Sequence, residues 1–454
     1  MTGVLVLLLS AASGWLGVAA SGTCRGLRPR WAAVLLEATF GVAAGLGSVS
    51  ALFFALLWAG LDARPAAWSA LFLPATASAL LFFLRKPVPS SDLPTPPDWR
   101  WSRLCAAAFV LALAFFLAGF ASVAEANPQG DWDAWAIWNL RARYLAAPAA
   151  WPNAVSPDLT RTHPHYPLLW SGVIGHAWAA GSDSGHPAVP LATAVIVSTA
   201  APLLLAAALA VLHSPAAGWL AALNLVSAAA WRRQSQALYA DAPLAFFLLA
   251  ALAAALAQAR NWHRPALALS GLLAALAAWT KNEGLLFFVF CALAVAWAAR
   301  RRAAAWLAGA LPVALLAAAF KLCLAPPARL FNPAFLADLN RAFQVLKGLA
   351  AGATDLANRA AHPLLLSALL AAVIGFRRTL DSAWLLAPPL ALLARSAVVL
   401  SGTPNELIWQ SNSTRERLLV QVLPALLFAY CLLLRQPPPD AAPAAEPSRP
   451  RRRK

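Results

Sequence analysis

Long apolar runs alternate with short polar or basic connections along nearly the whole chain. Candidate spans fall at about 4–20, 31–60, 66–84 and 102–121, then at 188–212, 217–231, 241–258, 262–280, 284–299, 303–322, 363–376, 381–400 and 419–434. Most approach the roughly 20 residues that carry a helix across a bilayer. The pattern predicts an all-α, polytopic transmembrane helical bundle of about thirteen spans. It divides into N-terminal transmembrane helices (1–121), a loop region with re-entrant or interfacial helices (122–187), a second transmembrane bundle (188–434) and a disordered basic tail (435–454).

One apolar run resists a simple count. Tyr166 to Ala180 is only about fifteen residues long, marginal for crossing. If it crosses, every later basic loop falls on the wrong side. If it is re-entrant or lies on the outer face, the clusters Arg25/Arg28/Arg30, Arg85/Lys86, Arg100/Arg103, Arg260/Arg264, Arg300–Arg302, Arg377/Arg378 and the tail all fall inside, as the positive-inside bias requires. We therefore expect it not to span. The loop after the fourth span, the turns at 231–241 and 281–283, the 324–363 stretch and 401–417 then share the outer face. A short amphipathic surface helix is expected at Phe335–Leu349.

Composition agrees with this pattern and narrows it. The chain has 454 residues, 61% hydrophobic and 12% charged, with a mean hydropathy of +0.65. A soluble protein does not hide that much apolar surface. The net charge of +17 sits in connecting loops and the tail rather than on a soluble basic face, so it points to anionic lipid headgroups and not to nucleic acid. The cysteines Cys24, Cys105, Cys291, Cys323 and Cys431 show no metal or disulfide spacing. Met1 to Ala20 lacks a basic leader, so a first span is expected rather than a cleaved signal.

Against this sparse background, the first large outer loop is dense in chemistry. It reads Gly130-Asp131-Trp132-Asp133-Ala134-Trp135, continues to Arg141 and Arg143, and ends in His163-Pro164-His165-Tyr166. The helix it starts near Trp132 carries a stripe of Trp135, Trp138, Ala142 and Leu145, suited to lying flat on a bilayer. One carboxylate, Asp133 or Asp131, is a candidate general base, although Asp131 equally fits a helix cap and Asp133 a favourable helix-dipole position. Trp135, His163, His165 and Tyr166 are candidate substrate contacts. His-x-His alone is a weak metal signal; no metal ligands are assigned, and a divalent metal is left open as a cofactor.

Further candidates lie at other outer-face turns. Asp241 opens a helix in Tyr239-Ala240-Asp241-Ala242-Pro243. Lys281-Asn282-Glu283 interrupts two apolar runs, and ions at membrane depth tend to be paired or functional. Arg232 and Arg233 sit outside against the charge bias. Arg415 and Arg417 precede the last span. These four arginines are candidate phosphate contacts. Glu37 and Arg395 lie within apolar runs without an evident role.

In their order and shared face, these segments resemble the GT-C superfamily of glycosyltransferases that use polyprenyl-phosphate sugars, such as protein O-mannosyltransferases and aminoarabinose transferases. The segments are Gly130–Trp135, His163–Leu169, Tyr239–Leu244, Lys281–Gly284 and the arginine pair before the last helix. The resemblance implies a membrane glycosyltransferase with a large periplasmic first catalytic loop in a bacterial cytoplasmic membrane. It implies Asp133, with Asp131 as alternate, as catalytic residue. The implied partners are a polyprenyl-phosphate-linked sugar donor, membrane lipids, and a lipid, glycan or protein acceptor. Two features depart from the family: about four spans precede the loop instead of one, and His165 stands where Pro-Leu or an acidic residue is usual. The rival expectations are a surface-glycan ligase or polymerase and a polytopic lipid or solute transporter. A transporter would show repeats or broken helices.

Overall fold

The computed structural model describes residues 2–85, 95–159, 162–183, 185–257, 263–327, 338, 340–348, 350, 375–376, 383–401 and 407–436; of 257, 383, 399, 407–413 and 415 it describes the backbone alone. Among these residues the fold is helical, with a single isolated bridge between Phe376 and Leu434. The helices are α1 (Thr2–Ser21), α2 (Arg30–Trp58), α3 (Ala63–Leu84), α4 (Ser102–Ala126), α5 (Leu140–Ala146), α6 (Leu169–Gly181), α7 (Ala188–Leu212), α8 (Pro215–Ser227), α9 (Ala229–Gln236), α10 (Asp241–Ala257), α11 (Arg264–Thr280), α12 (Asn282–Ala299), α13 (Ala303–Cys323), α14 (Ala387–Ser401) and α15 (Leu407–Leu433).

Seven helical stretches among the described residues are long and apolar enough to cross a membrane, or eight if the bent pair α9–α10 counts as one. They are α1, α2, α3, α4, α7, the α12–α13 stretch and the C-terminal part of α15. Three further expected spans appear as shorter apolar helices: α8, α11 and residues 384–398. The expected span at 363–376 falls almost wholly outside the described residues, as do the tail from 437 and residues 335–337, 339 and 349 of the expected surface helix; 340–348 are helical.

Burial separates inner from outer helices. In α2, 72% of the apolar window is buried, against 17% in α3 and α4. Leu80, Leu81 and Phe83 on α3, and Leu104, Leu111 and Phe115 on α4, are exposed. A continuous apolar exterior of this kind suits hydrocarbon and not water. Close packing inside depends on small residues, as membrane helix pairs often do. Gly271 of α11 and Gly309 of α13 interlock: a Cβ on Gly271 would lie 1.9 Å from the Trp306 carbonyl oxygen, and one on Gly309 would lie 1.9 Å from that of Ala268.

The short run after Tyr166 becomes α6. Its 13 residues rise about 20 Å, less than the roughly 30 Å hydrocarbon thickness. From Leu169 to Ala180 every residue is buried, with α1, α2, α3 and α5 packed around it. Protein therefore covers α6 on all sides, and its length falls short of a crossing.

The stripe expected to lie on the bilayer needs correction. Trp138, Ala142 and Leu145 are each 0% exposed, and Trp135 alone of the four is open, at 48%. The reason is local. The helix starts at Trp132 but widens into a π-helix over Ala134–Asn139, shifting the side-chain register. α6 then supplies a protein face for the stripe.

Candidate functional site

The outer loop is pinned before it reaches Asp133. Gly130 takes φ +82°, and a Cβ there would meet the Ala134 side chain at 2.6 Å and the Ala237 carbonyl at 2.8 Å. The Asp131 amide donates to the same Ala237 carbonyl at 3.2 Å, and the Trp170 indole donates to the Leu238 carbonyl. These contacts lock the loop to the sharp α9–α10 turn, where the two axes meet at 116° and Leu238 has a positive φ. Asp133, emerging at the head of the π-helix, thus faces the start of α10. π-helical turns recur at functional sites.

Four elements converge there on one set of charges. Arg417, on α15, donates from Nη1 to Asp133 Oδ2 at 2.7 Å and from Nε to Asp241 Oδ2 at 3.1 Å. Lys281, at the α11–α12 break, donates from Nζ to Asp241 Oδ1 at 2.8 Å. Gln421, one turn beyond Arg417 on the same helix face, donates from Nε2 to Asp241 Oδ1 at 2.6 Å. Asp241 and Lys281 are almost fully buried, whereas Asp133 and Arg417 remain 15% and 19% exposed. The Tyr239 ring packs 4.9 Å from the Arg417 guanidinium; burial, then the Asp133 and Asp131 carboxylates, push its hydroxyl up to about 12. A second pair adjoins the first: Arg395 Nη1 lies 3.5 Å from Glu283 Oε1.

The His163–Tyr166 loop lies on the other side of Lys281, whose amine sits 5.8 Å from the Tyr166 ring centre. His163 stacks on Tyr166 at 4.9 Å, and His165 meets both rings edge-on. Burial, then the charges of His163 and Lys321, push His165 down to about 4. Burial likewise lowers His163. Both imidazoles are therefore neutral near pH 7. The loop backbone is held by two cations. The wholly buried Arg141 donates to the carbonyls of Ala154 (2.8 Å), Pro164 (3.3 Å) and Tyr166 (2.8 Å). Lys321 of α13 donates to the carbonyl of His165, between them, and to Asn282 Oδ1.

The structure sorts the residues expected from sequence. Asp133, Asp241, Lys281, Glu283, His163, His165, Tyr166 and Arg417 gather at one end of the bundle. Asp131 is exposed and accepts locally from the Trp132 amide; it makes no ion pair among the described residues. Trp135 sits beside it, edge-on to Trp132 at 4.7 Å. Arg233 makes a two-pronged pair with Glu416, at 3.1 and 2.9 Å, and Arg232 is exposed on α9. The Arg415 side chain lies outside the described residues.

Sequence reasoning did not pick out Gln421, Lys321 or the job of Arg141, and gave Arg395 no role. Gln421 was findable from its four-residue spacing to Arg417; the others carried no local signal. The carboxylates that a divalent cation would use are turned onto Arg417, Lys281 and Arg395, and no cluster of three or more metal-ligating side chains occurs among the described residues. Two cavities lie elsewhere. One, of about 430 Å³, is lined by Gly14, Gly45, Ser78, Pro265 and Gly309; the other, of about 370 Å³, adjoins Asp62, Arg64 and Trp178.

No family model, no curated protein and no solved structure matches the chain.

Proposed function

We propose that the chain is a membrane glycosyltransferase of about thirteen spans that moves a sugar from a polyprenyl-phosphate carrier to an acceptor hydroxyl at the outer face of a bacterial cytoplasmic membrane. The observation that carries this reading is the meeting of Asp133 and Asp241 on Arg417: carboxylates from two separate outer turns share a cation from the last helix. Asp133 is the more open of the two, so it is the one an acceptor can reach.

The chemistry asks little of such a site. The Asp133 carboxylate takes the proton from the acceptor hydroxyl. The acceptor oxygen bonds to the anomeric carbon from the face opposite the phosphate. The bond from that carbon to the phosphate oxygen breaks, its electron pair leaving with the phosphate, and the anomeric centre inverts. Positioning and charge neutralisation supply the rest. Arg417 orients Asp133, Lys281 and Gln421 fix Asp241, and the exposed Trp132–Trp135 pair offers ring faces to a sugar.

The test is transfer from a polyprenyl-phosphate sugar in reconstituted membranes. Asp133→Asn should reduce transfer by at least about a hundredfold while membrane insertion and melting behaviour persist, and Asp131→Asn should keep most activity. Full activity in Asp133→Asn would remove Asp133 as the base.

One observation favours a second reading. The α9–α10 helix pair is broken beside the buried Asp241–Lys281 pair, an arrangement also suited to a transporter site. Substrate uptake by vesicles containing Asp133→Asn, with no transfer by the unmodified chain, would decide for transport.

A further inference from the structure

We propose that the oxyanion of the donor phosphate is seated at Lys321, beside the His163–Tyr166 loop, and not at Arg233 or Arg417, two of the arginines that the sequence suggests. This rests on the glycosyltransferase reading and specifies where its anionic substrate binds.

Several cations near the site are already neutralised. Arg417 serves two carboxylates, Lys281 is paired with Asp241, Arg395 with Glu283, and Arg233 with Glu416. An arriving phosphate would have to displace a carboxylate from each of these. Lys321 differs. Its ammonium group donates to two neutral oxygens, the His165 carbonyl and the Asn282 side-chain amide, and it has no carboxylate partner among the described residues. The residue is only half-buried, so a ligand can reach it.

Arg141 adds to the unbalanced charge. It too donates solely to carbonyls, those of Ala154, Pro164 and Tyr166. It is 0% exposed, and its Nη1 has no hydrogen-bond partner. The buried Nδ1 of His163 is likewise unpartnered. Two positive charges therefore flank one loop, with neutral imidazoles between them and two unsatisfied nitrogens. Buried charge is ordinarily paired, and a buried donor left without an acceptor is costly. An anion beside Lys321 supplies the missing counter-charge. A phosphate, with several acceptor oxygens, also matches a lysine amine that still has donor capacity.

The experiment uses the full chain in detergent, with farnesyl phosphate as probe and farnesol and inorganic phosphate as separate arms, read by tryptophan fluorescence and by ligand-induced melting shifts. Farnesyl phosphate is expected to bind and farnesol to bind at least about tenfold more weakly. Binding of inorganic phosphate with the same dependence on Lys321 supports a seat that reads the oxyanion itself; no inorganic phosphate binding supports one that reads the lipid headgroup. Lys321→Gln should weaken farnesyl phosphate at least about tenfold, and Lys321→Arg should stay within about threefold.

If Lys321→Gln does not fold, Asn282→Asp decides. It places a carboxylate against Lys321 at a helix start, where an acid is favourable. It should preserve stability and weaken farnesyl phosphate about tenfold. Wild-type binding by a folded Lys321→Gln or by Asn282→Asp overturns the seat. The two failures are separable. Loss of transfer in Asp133→Asn with unaltered binding in the Lys321 and Asn282 variants sinks the seat alone. Binding lost as expected, with no sugar transfer by the unmodified chain, sinks the glycosyltransferase reading alone.

Discussion

Arg417 reaches back 176 positions to donate to Asp241, and with the same guanidinium it holds Asp133. Asp241 is 0% exposed, so removing its arginine leaves a buried carboxylate short of charge. Arg417→Met should destabilise the fold by about 3–5 kcal/mol, the usual result of breaking a buried pair. Adding Asp241→Asn to it should cost less than the two single changes together, with a coupling of roughly 1–3 kcal/mol. Reversible unfolding in mixed micelles measures both. Simple additivity would mean that the contact contributes nothing beyond proximity.

Gly284 sets the approach of α12 to α11, directly after the Lys281–Glu283 turn. A Cβ there would lie 1.8 Å from the Ala277 carbonyl oxygen, and backbone cannot yield that far. Gly284→Ala should destabilise by roughly 1–3 kcal/mol through overpacking and should also reduce activity, because the turn carrying Lys281 must shift. Gly60→Ala is the contrasting change. Gly60 has a positive φ, but a Cβ there would meet nothing within 4 Å, so it should cost about 1 kcal/mol of backbone strain and leave activity intact. Equal activity losses in the two variants would argue against a positional role for the turn.

Most of the helical layout was legible because a helix that crosses lipid must satisfy its own backbone and show an apolar exterior. The start of α10 was marked by an ordinary signal, Asp241-Ala-Pro, and the break between α11 and α12 by Lys281-Asn-Glu. The expectation that Asp133, Asp241 and Lys281 share one face followed from charge bias alone, and the three do meet around Arg417 and Asp241. The partners were not legible. A lysine at the end of α13 looks like a loop-edge charge, and an arginine within α14 like a stray ion in an apolar run, until tertiary structure brings them to His165 and Glu283. The buried stripe of Trp138, Ala142 and Leu145 was misread because periodicity reports an apolar face without saying whether lipid or protein covers it. The π-helix after Asp133 has no comparable signature in residue order.

The acid side of the stability profile should carry a mark from the histidine loop. His165 is held near 4 in the folded protein against an ordinary value of 6.5, because burial and the neighbouring His163 and Lys321 disfavour its charged form. Between these two values the unfolded chain binds a proton that the folded chain does not, so stability falls as pH drops from about 6.5 toward 4 and levels off below. His163 shifts in the same direction and steepens the slope. His165→Gln should flatten part of the decline, measured as melting temperature against pH, with the plateau above pH 7 little altered. An unchanged slope in that variant would place the acid sensitivity in other groups.

Arg141 should prove irreplaceable by lysine even though charge is preserved. Its guanidinium spans three carbonyls that belong to two different parts of the loop, Ala154 on one side and Pro164 and Tyr166 on the other. One ammonium group on a flexible stem cannot reach all three with the same geometry. Each buried carbonyl left without a donor costs about 1–3 kcal/mol, so Arg141→Lys should lower stability by at least that amount. The damage should be local before it is global. Amide exchange should speed up at His165 and Tyr166, whose carbonyl contacts fix the loop, while the α10–α11 core stays protected. Binding of an anionic lipid should weaken along with that loosening, whereas the pairing of Arg417 with Asp133 and Asp241 should survive. Uniform loss of protection across α10 and α11 would instead mean that Arg141 supports the whole bundle and has no special hold on the histidine loop.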